Sequence, residues 1–169
     1  DSELSYVNFN AYYHPCIISD EMREVLKQAL QISQLTDGFY DVSIASELVK
    51  NGFLPDKSIR SDNDASWKDK SLVGNELKFL KNLQIDLGGI AKGYAVDQAL
   101  KEVEGEDIDI IINAGGDLTM SHWSDKSVEI RVPSLKKFDV VNLKMKNSSV
   151  ATSASYYFDK NKNPIISPK

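Results

Sequence analysis

Ile85-Asp86-Leu87-Gly88-Gly89-Ile90-Ala91-Lys92-Gly93-Tyr94-Ala95-Val96-Asp97 is the stretch whose reading decides the rest of this chain. A short apolar strand, Leu83 to Ile85, runs into a carboxylate. A glycine pair follows, and then a helix with Lys92 near its start. Glycines without Cβ let backbone N–H groups approach a bound anion. A helix start adds unpaired N–H donors and the positive end of a dipole. Asp86 at the strand end suits a sugar hydroxyl, a ring N–H or a metal-bound water. Read alone, the stretch is either a phosphate-handling corner or a turn whose glycines satisfy geometry only.

The composition narrows the classes. The chain has 169 residues, 41% hydrophobic and 27% charged, with a net charge of -5. That is enough for one core, and the expectation is one domain over residues 1–169. A mildly acidic chain without Lys/Arg clusters argues against a nucleic-acid surface. The lone Cys16 excludes an internal disulfide and a cysteine-based zinc site. No apolar run reaches the roughly 18 residues of a transmembrane segment.

Working outward, Ser19 or Asp20 caps a helix with an apolar stripe through Met22, Val25, Leu26, Ala29, Leu30, Ser33 and Leu35, and Gly38 is its expected C′ residue. Phe39, Tyr40 and Asp41 follow the helix stop. They read either as aromatics packed one in and one out or as a ledge for a planar heterocycle. Ala45 to Val49 predicts a short helical turn. Leu77 and Phe79, with Leu83 and Ile85, predict a hairpin leading into Asp86. The helix after Gly93 carries Ala95, Val96, Ala99, Leu100 and Val103 on one side. Ile108 to Ile112 reads as a well-buried strand delivering a second corner, Asn113-Ala114-Gly115-Gly116-Asp117. Val128 to Val132 and Val140 to Met145 alternate as strands around Pro133. His14, His122 and Trp123 have packing or surface roles by default, and Ser149 to Ser155 is hydroxyl-rich.

In this order the segments resemble the ApbE family of FAD:protein FMN transferases. Asp1 to Asn8 is similar to the family's D-S-x-L-S-x-x-N. Thr36 to Ser43 resembles T-x-G-x-F-D-x-T, and Asp86 to Asp97 resembles D-L-[GS]-[GA]-I-A-K-G-Y-A-V-D. Ile112 to Asp117 is similar to V-N-x-G-G-D, and Ala151-Thr152-Ser153 to T-S-G. The resemblance implies an α+β fold of T-fold-like units, mainly antiparallel sheet with two main helices packed on it. It implies FAD and Mg²⁺ as ligands and a target flavoprotein as acceptor, whose Thr or Ser hydroxyl receives FMN while AMP leaves. By the same resemblance Phe39, Tyr40 and Asp41 line the FAD site. Asp86 bonds the nucleotide with Lys92 nearby, and the Gly89 carbonyl ligates the metal. Asp117 and Thr152 stand just behind these contacts.

The chain departs from the pattern in its tail. Ala154 replaces the glycine of T-S-G, and Pro164-Ile165-Ile166-Ser167-Pro168 aligns with H-x-I-D-P. Proline accepts no proton, so the family's base is missing and no catalytic residue is assigned. The family's M-G-T element and its C-terminal Mg²⁺ ligands have no counterpart here. The expectation is either an excised core of a longer protein or a shortened relative. Three functions follow: an FMN transferase, a flavin-nucleotide-binding protein without turnover, or an interaction module on the same fold. The compartment stays open, with the cell envelope or periplasm implied by the resemblance and the cytoplasm as the alternative.

Overall fold

Helix α1 (Glu3–Asn10) is where the chain starts to order itself. Ser2 caps it, its hydroxyl accepting from the Ser5 N–H at 3.2 Å. The computed structural model describes residues 2–55, 61–103, 105, 108–121, 126–133, 138–145, 149–153 and 165–166. The chain divides into two compact units, Asp1–Ile90 with Lys162–Lys169, and Ala91–Asn161. The architecture is the expected α+β with antiparallel pairing.

In the first unit, α2 (Asp20–Leu35) follows the short strand β1 (Cys16–Ile17). Ser19 caps α2, its Oγ accepting from Met22 N at 3.1 Å. Glu3 of α1 holds that cap: its carboxylate accepts from Ser19 N at 2.6 Å and from Ser19 Oγ at 2.7 Å. Met22, Val25, Leu26, Ala29 and Ser33 are buried as the stripe requires. Leu35, expected in that stripe, is 78% exposed. At about 100° per residue it falls on the opposite side of the helix from Leu26.

The helix ends in a Schellman motif. Gly38 N donates to Ser33 O at 2.8 Å and Asp37 N donates to Gln34 O at 3.2 Å. This moves the C′ position from the expected Gly38 to Asp37, which takes φ 50°. Asp tolerates the left-handed region better than most residues. Gly38 follows at φ 77°, and a Cβ there would meet Trp67 Nε1 at 3.1 Å. Thr36 then fixes the exit: its hydroxyl donates to Ile32 O at 2.8 Å and accepts from Tyr40 N at 3.1 Å. A 3-10 turn (Val42–Ile44) and α3 (Ala45–Lys50) continue the chain.

Strands β2 (Lys70–Val73) and β3 (Glu76–Phe79) form a hairpin, and β3 is central in the order β1-β3-β2. Leu77 and Phe79 of β3 are buried in the core, as are Val7 and Leu83. The expected hairpin between Leu77–Phe79 and Leu83–Ile85 is therefore corrected. Residues 83–87 belong to no strand, yet Leu83, Ile85 and Leu87 are buried. Their backbone is served differently. The Asn8 side chain donates from Nδ2 to Ile85 O at 2.8 Å and accepts at Oδ1 from Ile85 N at 2.8 Å. Asp86 N donates to Val42 O at 2.8 Å. A carboxamide carries the same donor and acceptor as a peptide, so Asn8 replaces a neighbouring strand.

In the second unit, α4 (Ala91–Glu102) packs on the hairpin of β4 (Ile111–Ala114) and β5 (Asp117–Met120). The helix opens ahead of Gly93, so Lys92 lies in its first turn. Val96 is buried, whereas Ala95 and Ala99, expected on the same side, are exposed. Gly115 and Gly116 turn the hairpin with φ of 64° and 103°, as a two-residue type I′ turn demands. Ile108 and Ile111, read as part of a well-buried strand, are 54% and 58% exposed. A hairpin with one helix against it does not enclose both faces of that run. Val150 bridges to Leu118, adding an extended neighbour to β5. Strands β6 (Ser127–Pro133) and β7 (Phe138–Lys144) form the last hairpin, as the alternation predicts.

Two substitutions check this account by urea denaturation. Asn8→Ala leaves the buried Ile85 peptide unpaired and is expected to cost about 2–4 kcal/mol. The control Asn10→Ala removes a single solvent-side hydrogen bond, Nδ2 to Tyr6 O at 2.8 Å, and is expected to cost about 1 kcal/mol or less. Gly38→Ala is expected to cost at least about 1–2 kcal/mol from its backbone alone, with the Trp67 contact adding to that.

Candidate functional site

The Asp86 carboxylate is held by its own turn. Its Oδ1 accepts from Gly88 N at 3.0 Å. A Cβ on Gly88 would stand 3.0 Å from the same oxygen, so a side chain there would have to displace the carboxylate slightly; no positive φ is involved. Among the described residues the second Asp86 oxygen accepts no hydrogen bond. With Asn8 and Val42 pinning the backbone on either side, the carboxylate has one direction and a free lone-pair edge.

Tyr40 reaches this corner from the end of α2. Its ring lies against Gly89: Cε2 is 3.4 Å and the hydroxyl 3.7 Å from where a Gly89 Cβ would stand. Burial holds the phenol above its ordinary pKa, and the nearby Asp86 carboxylate pushes the same way. The hydroxyl is therefore a proton-bearing donor at neutral pH. Phe39 points outward, 69% exposed. Asp41 is largely committed to structure. Its Oδ1 caps the 3-10 turn, accepting from Ser43 N at 2.7 Å and Ser43 Oγ at 2.6 Å, and its Oδ2 accepts from Trp67 N at 3.4 Å. The segment thus has one aromatic turned out and one half-buried, as the packing reading expects.

A cavity of about 180 Å³ opens beside Asp86, between α1 and α3, lined by Leu4, Asn8, Phe9, Val49, Pro55 and Ile85 among others. Its walls are largely apolar with a few polar groups, the pattern of a small-molecule subsite. It is smaller than a whole dinucleotide needs.

In the second unit the other motif residues meet. Lys92 Nζ stands 3.4 Å from Asp117 Oδ1, joining the first turn of α4 to the start of β5. Asn113 Oδ1 accepts from Gly116 N at 3.0 Å, which fixes the glycine corner. The Thr152 carbonyl passes 3.9 Å from where a Gly116 Cβ would be. The candidate residues therefore fall into two groups, Tyr40, Asp41, Asp86 and Gly89 in one unit and Lys92, Asp117 and Thr152 in the other. Ala154, Pro164, His122 and Trp123 lie outside the described residues.

Among the described residues no three His, Cys, Asp or Glu side chains gather into a metal site, and no helix is long and apolar enough to cross a membrane. Asn8 is the residue whose role the sequence reading missed. No local signal marks it: the segment at 83–87 alternates like a strand, and the group that pairs Ile85 is a helix side chain 77 positions away.

The sequence model of the ApbE family matches residues 1–169. An FAD:protein FMN transferase of Vibrio cholerae serotype O1 is 26% identical over 94% of this chain and 53% of its own length. One from Haemophilus influenzae is 29% identical over 62% of this chain and 35% of its own. The crystal structure of flavin transferase ApbE from Vibrio cholerae matches 98% of this chain and 59% of its own, with a TM-score of 0.81 at 23% identity. The ApbE protein of Thermotoga maritima matches 92% of this chain and 55% of its own, with a TM-score of 0.76 at 25% identity. The chain spans about half the length of the Vibrio relative. With its glycine corners, its aromatic-Asp segment and its whole length matched, the chain belongs to the ApbE family.

Proposed function

We propose that this chain carries flavin-nucleotide-binding machinery of an FAD:protein FMN transferase. The observation that carries this reading is the convergence of three motif segments on one peptide. Asn8, Val42 and the Gly88–Gly89 turn all constrain Ile85–Asp86, and Tyr40 leans over the same turn. The names of the relatives support FAD as the substrate.

In this reading Asp86 accepts from the flavin nucleotide, and the apolar cavity beside it takes one edge of a planar ring. Phe39 and Asp41 frame Tyr40 on the same segment. Lys92, paired with Asp117, is the cationic contact for phosphate in the second unit, and Thr152 supports that corner. The transfer forms a bond from the acceptor's hydroxyl oxygen to the FMN phosphorus. It breaks the diphosphate bridge, and AMP leaves with the bridging oxygen. The hydroxyl proton must go to a base, and Pro164 supplies none. Mg²⁺ would neutralise charge on the diphosphate when bound. The oxygen that the family resemblance offers it at the corner is the Gly89 carbonyl. That donor suits an ion taking its other positions from phosphate and water, as Mg²⁺ commonly does.

The Pro164 substitution favours a second reading, in which FAD binds without turnover. One experiment separates the two. Purified protein is titrated with FAD by flavin fluorescence, then incubated with FAD, Mg²⁺ and an acceptor flavoprotein while AMP and covalent flavin are followed. Binding with AMP release supports transfer; binding alone supports the second reading. Failure to bind FAD removes both and leaves the interaction module. Asp86→Asn is expected to weaken FAD binding by about tenfold or more, the loss of a charge-assisted hydrogen bond, with the thermal midpoint little changed.

A further inference from the structure

The hydroxyl of Tyr40 is a polar group without structural work. It belongs to a half-buried side chain and makes no hydrogen bond to a described residue. The hydroxyl is not a buried unpartnered atom, so solvent, and equally a ligand, reaches it. The ring lies against Gly89, with the hydroxyl 3.7 Å from the Cβ position that glycine leaves empty. One oxygen of the nearby Asp86 carboxylate accepts from Gly88 N at 3.0 Å. In the segment Thr36 to Ser43 the family pattern has Phe where this chain has Tyr40, so the chain adds one oxygen to a ring whose place is already set.

We propose that the Tyr40 hydroxyl is a specificity-determining donor that hydrogen-bonds a phosphate oxygen of the flavin nucleotide at the Gly88–Gly89 turn. The inference rests on the flavin-nucleotide reading above and adds to it a selection for phosphorylated flavins. Three features of the corner fit a phosphate oxygen. Gly89 presents no side chain, so a bulky tetrahedral group can come up to the ring. The hydroxyl keeps its proton, so it donates. The adjacent Asp86 carboxylate would repel a bare phosphate, and a donor between them offsets that repulsion. Riboflavin has the same ring system without phosphate and gains nothing from this hydroxyl.

The test is equilibrium titration of wild type and Tyr40→Phe with FAD, FMN and riboflavin in Mg²⁺-free buffer, followed by flavin fluorescence. Thermal melts confirm that both proteins are folded. Wild type is expected to prefer FMN over riboflavin. In Tyr40→Phe, FAD and FMN are each expected to bind about tenfold more weakly, as for a lost hydrogen bond to a charged group. Riboflavin should stay within about twofold. Equal losses for all three ligands, or no loss for any, overturn the assignment while leaving the flavin reading intact. Wild type that binds riboflavin as tightly as FMN overturns it without recourse to the variant. Wild type that binds none of the three overturns the flavin reading and this inference together.

Discussion

A side-chain amide standing in for a strand is the constraint on which the first unit depends. Leu83, Gln84, Ile85 and Leu87 are buried, and buried peptide groups must find partners. The Ile85 peptide finds both in the carboxamide of Asn8. The next residue, Asp86, gives its N–H to Val42. Val42 in turn follows Asp41, whose carboxylate caps the 3-10 turn, and Thr36 holds the chain just before it. Most of the polar residues in these motifs are thus spent on one another. What remains for a ligand is small: the free edge of Asp86, the Tyr40 hydroxyl and the bare backbone of Gly88 and Gly89.

The glycines divide by physical cause. Gly115 and Gly116 need positive φ for a tight hairpin turn. At Gly88 a side chain would crowd the Asp86 carboxylate, whose oxygen stands 3.0 Å from the Cβ position. Gly89 leaves the Tyr40 ring and hydroxyl uncovered. A shared glycine-pair spelling at 88–89 and 115–116 therefore serves different ends, and at the first corner the Tyr40 side chain leans over the turn. Lys92 and Asp117, by contrast, meet through an ordinary partly exposed ion pair, whose strength falls with salt.

What was legible in the sequence is what local rules govern. The stripe and N-cap of α2, the alternation of β6 and β7, and the Gly115–Gly116 turn each declare themselves within a dozen residues. The family motifs marked the residues of the two corners, and the structure groups them unit by unit. The misreadings came from nonlocal partners. Leu83 and Ile85 alternate like a strand, but the Ile85 peptide is paired by a helix side chain, which leaves no period or turn signal. Leu35 looked like part of a stripe because it is apolar, yet its angular position faces water. Ile108 to Ile112 looked enclosed because apolar runs usually are, while enclosure depends on layers that the run itself does not encode.

The Asn8–Ile85 bond pair joins positions 77 apart in the chain. A type I′ turn needs only its own residues, but this closure carries the entropy of everything between its ends. Neither α1 nor the segment at 83–87 can present its half of the bond unless the intervening helix and hairpin already hold them in register. Asp86 consequently acquires a fixed direction only in the folded ensemble, and local opening of the two-turn helix α1 releases it. Any ligand that recognises that direction binds the closed state alone. Its binding free energy is then shared with the stability of the unit, and occupancy and folding become one linked equilibrium.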